Sequence, residues 1–218
     1  MTIIDGINYN LSTDGSKTAT VGNNWDFSGS AIIPATVTDN GTPYTVIAIG
    51  DSAFFGCSAL TSVTIPASVT SIGDEAFFDC TGLTSISIPA SVTSIGDRVF
   101  TECSELTAIN VDVNNPNYSN ADGVLFNKDQ TILIQFPGGK AVAYSIPSSV
   151  TSIGASAFTF CSGVVSAYFL GDSVEYTDYA FNQTTTQIYV KAGAIGWGET
   201  WGGCTVSKIH NYTVYFRK

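Results

Sequence analysis

Between residues 49 and 117 apolar and small polar side chains follow a pattern that no helix satisfies. From Ile72 onward Ile72, Ala76, Phe77, Cys80, Leu83, Ile86, Ile88 and Val92 form an apolar set, and most positions between them are Ser, Thr, Gly, Asp or Glu. No helical period joins them over a useful length, whereas Leu83, Ile86 and Ile88 end in the every-other-residue alternation of a half-buried strand. Pro89 closes that strand, since proline cannot donate to a ladder, and Gly73 lets the chain bend where a side chain would clash. The pattern predicts a strand, a turn, a short second extended segment and another turn.

The same unit recurs. Residues 49–71 read IGDSAFFGCSALTSVTIPASVTS, residues 72–94 read IGDEAFFDCTGLTSISIPASVTS, and residues 95–117 begin IGDRVFTECSELTAINV before diverging, so that Cys57, Cys80 and Cys103 are spaced by 23 residues. Further units open at Ile153 (IGASAFTFCSGVVSAYF) and, shortened, at Tyr176; partial copies lie at 32–38 and 145–152. A single unit cannot bury its own apolar set, so the units must stack as coils of a solenoid, at ~4.8 Å per coil where strands pair in parallel. Between the third coil and Ile153, GVLFN and TILIQF flank Lys128-Asp129-Gln130, which reads as a hairpin turn. The strand ending in Phe136-Pro137 is expected to join the sheet in place of a regular coil, with the one ending in Ile146-Pro147 following. One continuous domain results: an N-terminal cap with a partial repeat over 1–48, coils over 49–192 with a hairpin-containing insertion at 118–145, and a C-terminal cap and tail over 193–218. Caps are required because end coils would otherwise expose apolar faces and strand edges. Trp25 and Phe27 are expected to plug the first coil, and Trp197 and Trp201 the last.

The IP-x-SVTSIG-x-x-AF-x-x-C-x-x-L core closely resembles the repeat of the BspA-like bacterial leucine-rich repeat family. The opening DGINYNLSTDGSKTATVGN and the segments at 114–139 and 188–203 resemble flanking and inserted segments of that family, so the likeness covers the chain to about residue 206. The first residues, which do not read as a secretory signal, and the tail KIHNYTVYFRK depart from it. The fold expected is mainly β: a right-handed leucine-rich-repeat solenoid with short parallel strands, little helix, a β N-terminal cap and a Trp-containing C-terminal cap. The resemblance also implies an extracellular or cell-surface location and adhesion to host matrix proteins such as fibronectin and fibrinogen.

Composition narrows the partners. The chain has 218 residues and a formal net charge of −10, yet charged residues make up only 12 % of it, about half the usual globular share. Ser, Thr, Asn and Gly fill the deficit. An acidic chain with scattered Lys and Arg argues against nucleic acid and anionic membranes, which select basic surfaces. No apolar run reaches the ~18 residues of a membrane helix, and the first residues lack the basic and apolar regions of a secretory signal.

Candidate chemistry is sparse. Cys57, Cys80, Cys103 and Cys161 fall at one position of four coils and are expected to form a buried ladder of free thiols, because parallel side chains of stacked coils do not converge on a disulfide. Asp51, Asp74 and Asp97 form a second column; a calcium site there is weighed against Asx-turns in which each carboxylate bonds its own turn, the reading preferred. No metal or cofactor is expected. The chain has one histidine, His210, in the tail, no phosphate-cradling glycine motif and no nucleophile–base pair, so no catalytic residue is assigned.

What remains is the outward side of the strands. If Leu83, Ile86 and Ile88 point inward, Ser85 and Ser87 point outward. The same offset in each coil gives the column Thr64, Ser87, Asn110, Gln135, Ser145, Tyr168 and Tyr189, small hydroxyls first and larger side chains later. Thr and Ser suit solvated strands whatever their role. Exposed tyrosines, however, supply large contact area at low entropic cost, so Asn110, Gln135, Tyr168 and Tyr189 are the expected ligand-binding residues. The function expected is non-catalytic protein binding through this sheet face by a monomer of a secreted or surface protein. A carbohydrate-binding module and a structural spacer without a ligand are the alternatives.

Overall fold

Two parallel ladders run the length of the molecule, joined in each coil by a tight edge that carries the IGDxxAFxxC stretch. A computed structural model describes residues 2–141, 143–161, 166–176, 179–182, 184 and 186–209, so the tail with His210 lies outside the described residues. Among the described residues there is no α-helix.

The back ladder starts from the antiparallel strands Thr2–Ile4, Ile7–Leu11 and Thr18–Val21, and continues in parallel through Thr42–Ile49, Ser71–Ile72 and Ser94–Ile95. It resumes with Ile132–Gln135, Ser152–Ile153 and Glu175–Tyr176. The front ladder comprises Gly29–Ile32 paired to Leu60–Thr64, then Ser85–Ile88 paired to Ala108–Val111. Beyond the insertion it runs through Tyr144–Ile146, Ser166–Phe169, Gln187–Lys191 and Cys204–Ile209. The front strand Ser85–Ile88 buries every other residue: Ile86 and Ile88 are buried while Ser85 and Ser87 are exposed.

Stacked rings fill the interior. Phe54, Phe77 and Phe100 lie parallel with centroids 5.5 and 5.8 Å apart, and Phe136, Phe158 and Phe181 form a second stack at 5.1 and 4.7 Å. The amides of four of these rings are tied to the next coil, Phe54 N to Ala76 O and Phe158 N to Ala180 O at 2.8 Å, Phe136 N to Ala157 O at 2.9 Å and Phe77 N to Val99 O at 3.1 Å, which holds the rings in register. The offset parallel arrangement is a favoured aromatic geometry and adds to the area each ring buries.

The ends are closed differently. At the front end Phe27 meets Phe54 edge-on at 5.7 Å, but Trp25 is 66 % exposed, so only Phe27 acts as the plug expected of the pair. At the far end Trp201 packs against Phe169, Tyr176, Phe181 and Trp197 with centroids 4.8–5.2 Å away, and both Trp197 and Trp201 cap the last coil.

The insertion forms the hairpin Tyr118–Ala121 and Val124–Asn127, whose Asp122-Gly123 turn has φ of 50° and 79°. Positive φ at both central residues matches the twist of a two-residue hairpin. A second turn at Lys128–Gln130 brings Ile132–Gln135 back antiparallel, as the run GVLFN-KDQ-TILIQF predicts. The first hairpin wedges into the front ladder: Ile109 N donates to Gly123 O at 2.8 Å, and Tyr144 Oη donates to Ala121 O at 3.2 Å on its other side. The strand ending at Phe136 therefore continues the back ladder and not the front one, contrary to the expected placement.

Candidate functional site

The front face is built from residues that the ladder register places side by side. Ser87 pairs with Asn110, and beyond the hairpin Ser145, Tyr168, Tyr189 and Ser207 follow in one row. Of the four expected ligand-binding residues, Asn110 is exposed and stands on the N-terminal side of the hairpin, whereas Tyr168 and Tyr189 stand on the far side. Their rings stack at 4.9 Å and 15°. Tyr168 is 7 % exposed, flanked by Ser145 and Tyr189, so it supports the outer ring and does not present its own face to solvent. Tyr189 is half-buried and its hydroxyl donates to Gln187 Oε1 at 2.6 Å, which fixes the ring's direction. Gln187 and Ser207 belong to this surface and were missing from the sequence column; the pairing of Gln187–Lys191 with Cys204–Ile209 could have been sought in the TVSKI alternation.

Gln135 is not part of the face. It lies on the back ladder, 4 % exposed, with Nε2 donating to Phe136 O at 3.0 Å and Ala157 O at 3.2 Å. The physical reason is the extra hairpin, which consumes one front-ladder position and returns the chain on the opposite side, so that the outward offset counted from Ile86 and Ile88 no longer applies there.

The thiol column is interior. Cys57, Cys80, Cys103 and Cys161 are free and at most 1 % exposed. Cys80 Sγ donates to Phe54 O at 3.0 Å and Cys103 Sγ to Phe77 O at 3.1 Å, each one coil back, so the column is a ladder of S–H donors to carbonyls of the ring stack. Burial pushes the thiols of Cys103 and Cys161 up to about 12, which leaves them as inert thiols at neutral pH.

The aspartate column also bonds between coils. Asp51 Oδ1 accepts from Asp74 N at 3.0 Å, and Asp74 Oδ1 accepts from Asp97 N at 2.8 Å. This corrects the Asx-turn reading: Asp51 and Asp74 each serve the next coil's amide, not their own turn. Glycine is required before each Asp because a Cβ at Gly73 would lie 2.2 Å from Asp51 Oδ1 and 2.6 Å from Asp51 N. No group of three or more His, Cys, Asp or Glu side chains is arranged to hold a metal ion among the described residues.

The known proteins that this chain resembles share the architecture. A leucine-rich cell surface protein from Faecalibacterium prausnitzii has a TM-score of 0.54 at 22 % identity, covering 87 % of this chain and 75 % of its own. The pneumococcal vaccine antigen PcpA has a TM-score of 0.52 at 16 % identity, covering 87 % and 71 %. A leucine-rich repeat protein from T. pallidum has a TM-score of 0.51 at 22 % identity, covering 88 % and 86 %. At these identities the likeness is one of fold. No curated protein is significantly similar to the chain. The model of the BspA type leucine rich repeat region matches six copies over residues 35–140 and 136–193, and with the coil geometry this establishes that the chain belongs to the BspA-type leucine-rich repeat family.

Proposed function

We propose that the chain is a non-catalytic binding module of a bacterial cell-surface or secreted protein, and that it docks a macromolecule, such as a host matrix protein, on the C-terminal half of its front face. Leucine-rich repeat proteins commonly mediate protein interactions, and a solenoid ladder offers a long, shallow surface suited to a large partner. The observation that carries the proposal is the Tyr168–Tyr189 stack. A ring held by a buried neighbour and by the Gln187 bond loses little freedom on binding, which is the property of an interface anchor. Asn110 extends the surface across the hairpin. The leucine-rich cell surface protein and the pneumococcal antigen among the structural neighbours support the surface location.

The test is biolayer interferometry of the purified chain against immobilised fibronectin and fibrinogen, with a glycan array in parallel. Binding to a matrix protein, weakened about tenfold by Tyr189→Ala and little by added salt, is the expected result. Unchanged binding in Tyr189→Ala overturns the assignment of the face. Array hits without matrix binding favour the carbohydrate-binding alternative, and no ligand in either assay favours the spacer.

A further inference from the structure

The turn edge carries a second surface, produced by a coil that is too short. In the third coil Ile95 and Phe100 are five residues apart; in the back-ladder strand of the insertion, the corresponding Leu133 and Phe136 are three apart. The correspondence is set by the backbone: Gly96 N donates to Ile72 O and Gly154 N to Leu133 O, while Phe77 N donates to Val99 O and Phe136 N to Ala157 O. Two residues of edge are therefore missing between the third coil and the one that begins at Ile153.

Their absence leaves main-chain groups facing a gap. In the first two coils the edge amides reach the next coil, as Ser52 N to Asp74 O, Glu75 N to Asp97 O and Asp79 N to Thr101 O, at 2.8–2.9 Å. Among the described residues, the equivalent amides of the third coil, Arg98 N and Glu102 N, donate to no protein acceptor, and on the far wall Ala155 O receives no N–H. Asp97, the last of the aspartate column, has no following amide to serve. A groove of about 720 Å³ opens here, with Asp97, Thr101 and Glu102 on one wall and Ser156, Thr159 and Phe160 on the other. Thr101 stands where Phe55 and Phe78 stand in the earlier coils; it is 2 % exposed, and its Oγ1 is buried without a hydrogen-bond partner. A buried hydroxyl left unmatched at the base of an open groove carries a desolvation cost that a ligand group would relieve.

The lining also selects charge. Asp51, Asp74, Glu75, Asp97 and Glu102 face the groove against a single cation, Arg98, which is ion-paired with Glu75. Burial and the neighbouring Asp79 raise the Glu102 carboxyl above its ordinary value. Phe78, Phe160 and Tyr179 line the same groove, and the exposed Trp25 and Phe55 continue the aromatic edge toward the N-terminal cap.

We propose that this notch binds an extended, lysine- or arginine-bearing peptide segment whose backbone takes the place of the two missing edge residues. Its carbonyls would accept from Arg98 N and Glu102 N, an amide would donate to Ala155 O, and its cation would sit between Asp97 and Glu102. This is main-chain recognition of the kind by which a peptide completes an unpaired ladder, with side-chain specificity from the charge. A neutral glycan satisfies the aromatic rings but not the alignment of donors and acceptors or the excess of carboxylates. The site is separate from the front face.

The experiment is fluorescence anisotropy of the whole chain with a dye-labelled, end-blocked hexapeptide of alternating valine and lysine. The same peptide with glutamate for lysine, and maltohexaose as competitor, serve as controls. The lysine peptide is expected to bind, more weakly at higher salt, and to lose about tenfold in affinity in Thr101→Phe, which refills the ring column. The pair Asp97→Asn and Glu102→Gln, at the rim, decides the matter should Thr101→Phe not fold, and is expected to lower affinity as well. Tyr189→Ala is expected to leave the peptide unaffected, which separates this site from the front face. No binding of the lysine peptide, equal binding of the glutamate peptide, displacement by maltohexaose, or full affinity in folded variants of the notch overturns the proposal.

Discussion

The coils before the insertion and those after it solve the same packing problem with different regularity. In the first group the rings of Phe54, Phe77 and Phe100 are within 2–4° of parallel and the thiol of each coil reaches the carbonyl one coil back at 3.0–3.1 Å for Cys80 and Cys103. In the second the rings tilt by 9–19° and Cys161 Sγ stands 3.6 Å from Phe136 O. Regular coils bond one another along the backbone and present Ser85 and Ser87 on the front strand. Where the repeat is broken, the Tyr168–Tyr189 row, the hairpin and the unpaired amides of the notch all appear. Deviation from the repeat, and not the repeat, creates the groups that can recognise a partner.

The sharpest way to break this comparison is to empty one ring from each stack. Phe77→Ala and Phe158→Ala both delete a ring that is 0 % exposed and are each expected to cost about 3–5 kcal/mol in urea unfolding, with the more parallel Phe77 stack at the upper end because its neighbours cannot tilt to fill the space. A larger loss for Phe158→Ala would show that regularity is not what makes the first stack tight.

Glycines give the next largest contrast. Alanine at Gly73 drives a Cβ to 2.2 Å from Asp51 Oδ1 and 2.6 Å from a backbone nitrogen, whereas at Gly154 the nearest atoms, Leu133 O and Ile134 O, are 3.2 Å away. Gly73→Ala is expected to cost about 2–3 kcal/mol and Gly154→Ala about 1 kcal/mol or less, read as denaturation midpoints. Equal midpoints would mean that coil spacing relaxes freely.

Alkaline pH probes the thiols. Their ordinary value is 9.0, and burial raises Cys103 and Cys161 to about 12. The folded state then holds protons that the unfolded state releases, so stability is full below about pH 9 and falls as pH rises toward 12, by at most ~1.4 kcal/mol per pH unit for each buried thiol. Cys103→Ser is expected to flatten this slope, and native protein at pH 8 is expected to resist iodoacetamide at these positions. Rapid labelling without unfolding would contradict their burial.

The smallest effect separates the middle of the aspartate column from its end. Asp74→Ala removes the acceptor for Asp97 N and is expected to cost about 1 kcal/mol, while Asp97→Ala, which has no amide to serve, is expected to change the melting midpoint little.

Much of this was readable in the sequence because each coil repeats its neighbour's chemistry. The 23-residue spacing of Cys57, Cys80 and Cys103 and the alternation through Ile86 and Ile88 fix coil length, interior and exterior together. Legibility failed where copying stops. Gln135 was misplaced because alternation gives two faces but not which ladder a strand joins, and an extra hairpin exchanges one ladder for the other. A cap over the first coil calls for an aromatic plug, and Trp25 and Phe27 both fit that role by sequence, yet one ring, Phe27, covers Phe54 while Trp25 stays exposed. The notch was hidden because its recognition groups are backbone amides, which have no letter in a sequence; only the shorter interval from Leu133 to Phe136 marks it.

One strand of the hairpin ties the two groups of coils together. Val124 and Phe126 turn into the C-terminal core, and Leu125 between them turns into the N-terminal core. In mechanical terms this strand is a rivet. A pull on the two ends of the solenoid is carried across the irregular joint by Leu125, with Tyr118 and Ile134 beside it on the N-terminal core, and by the bonds of Ile109 N to Gly123 O and Gly139 N to Leu106 O, so the load passes through the insertion and not through a regular stack of coils.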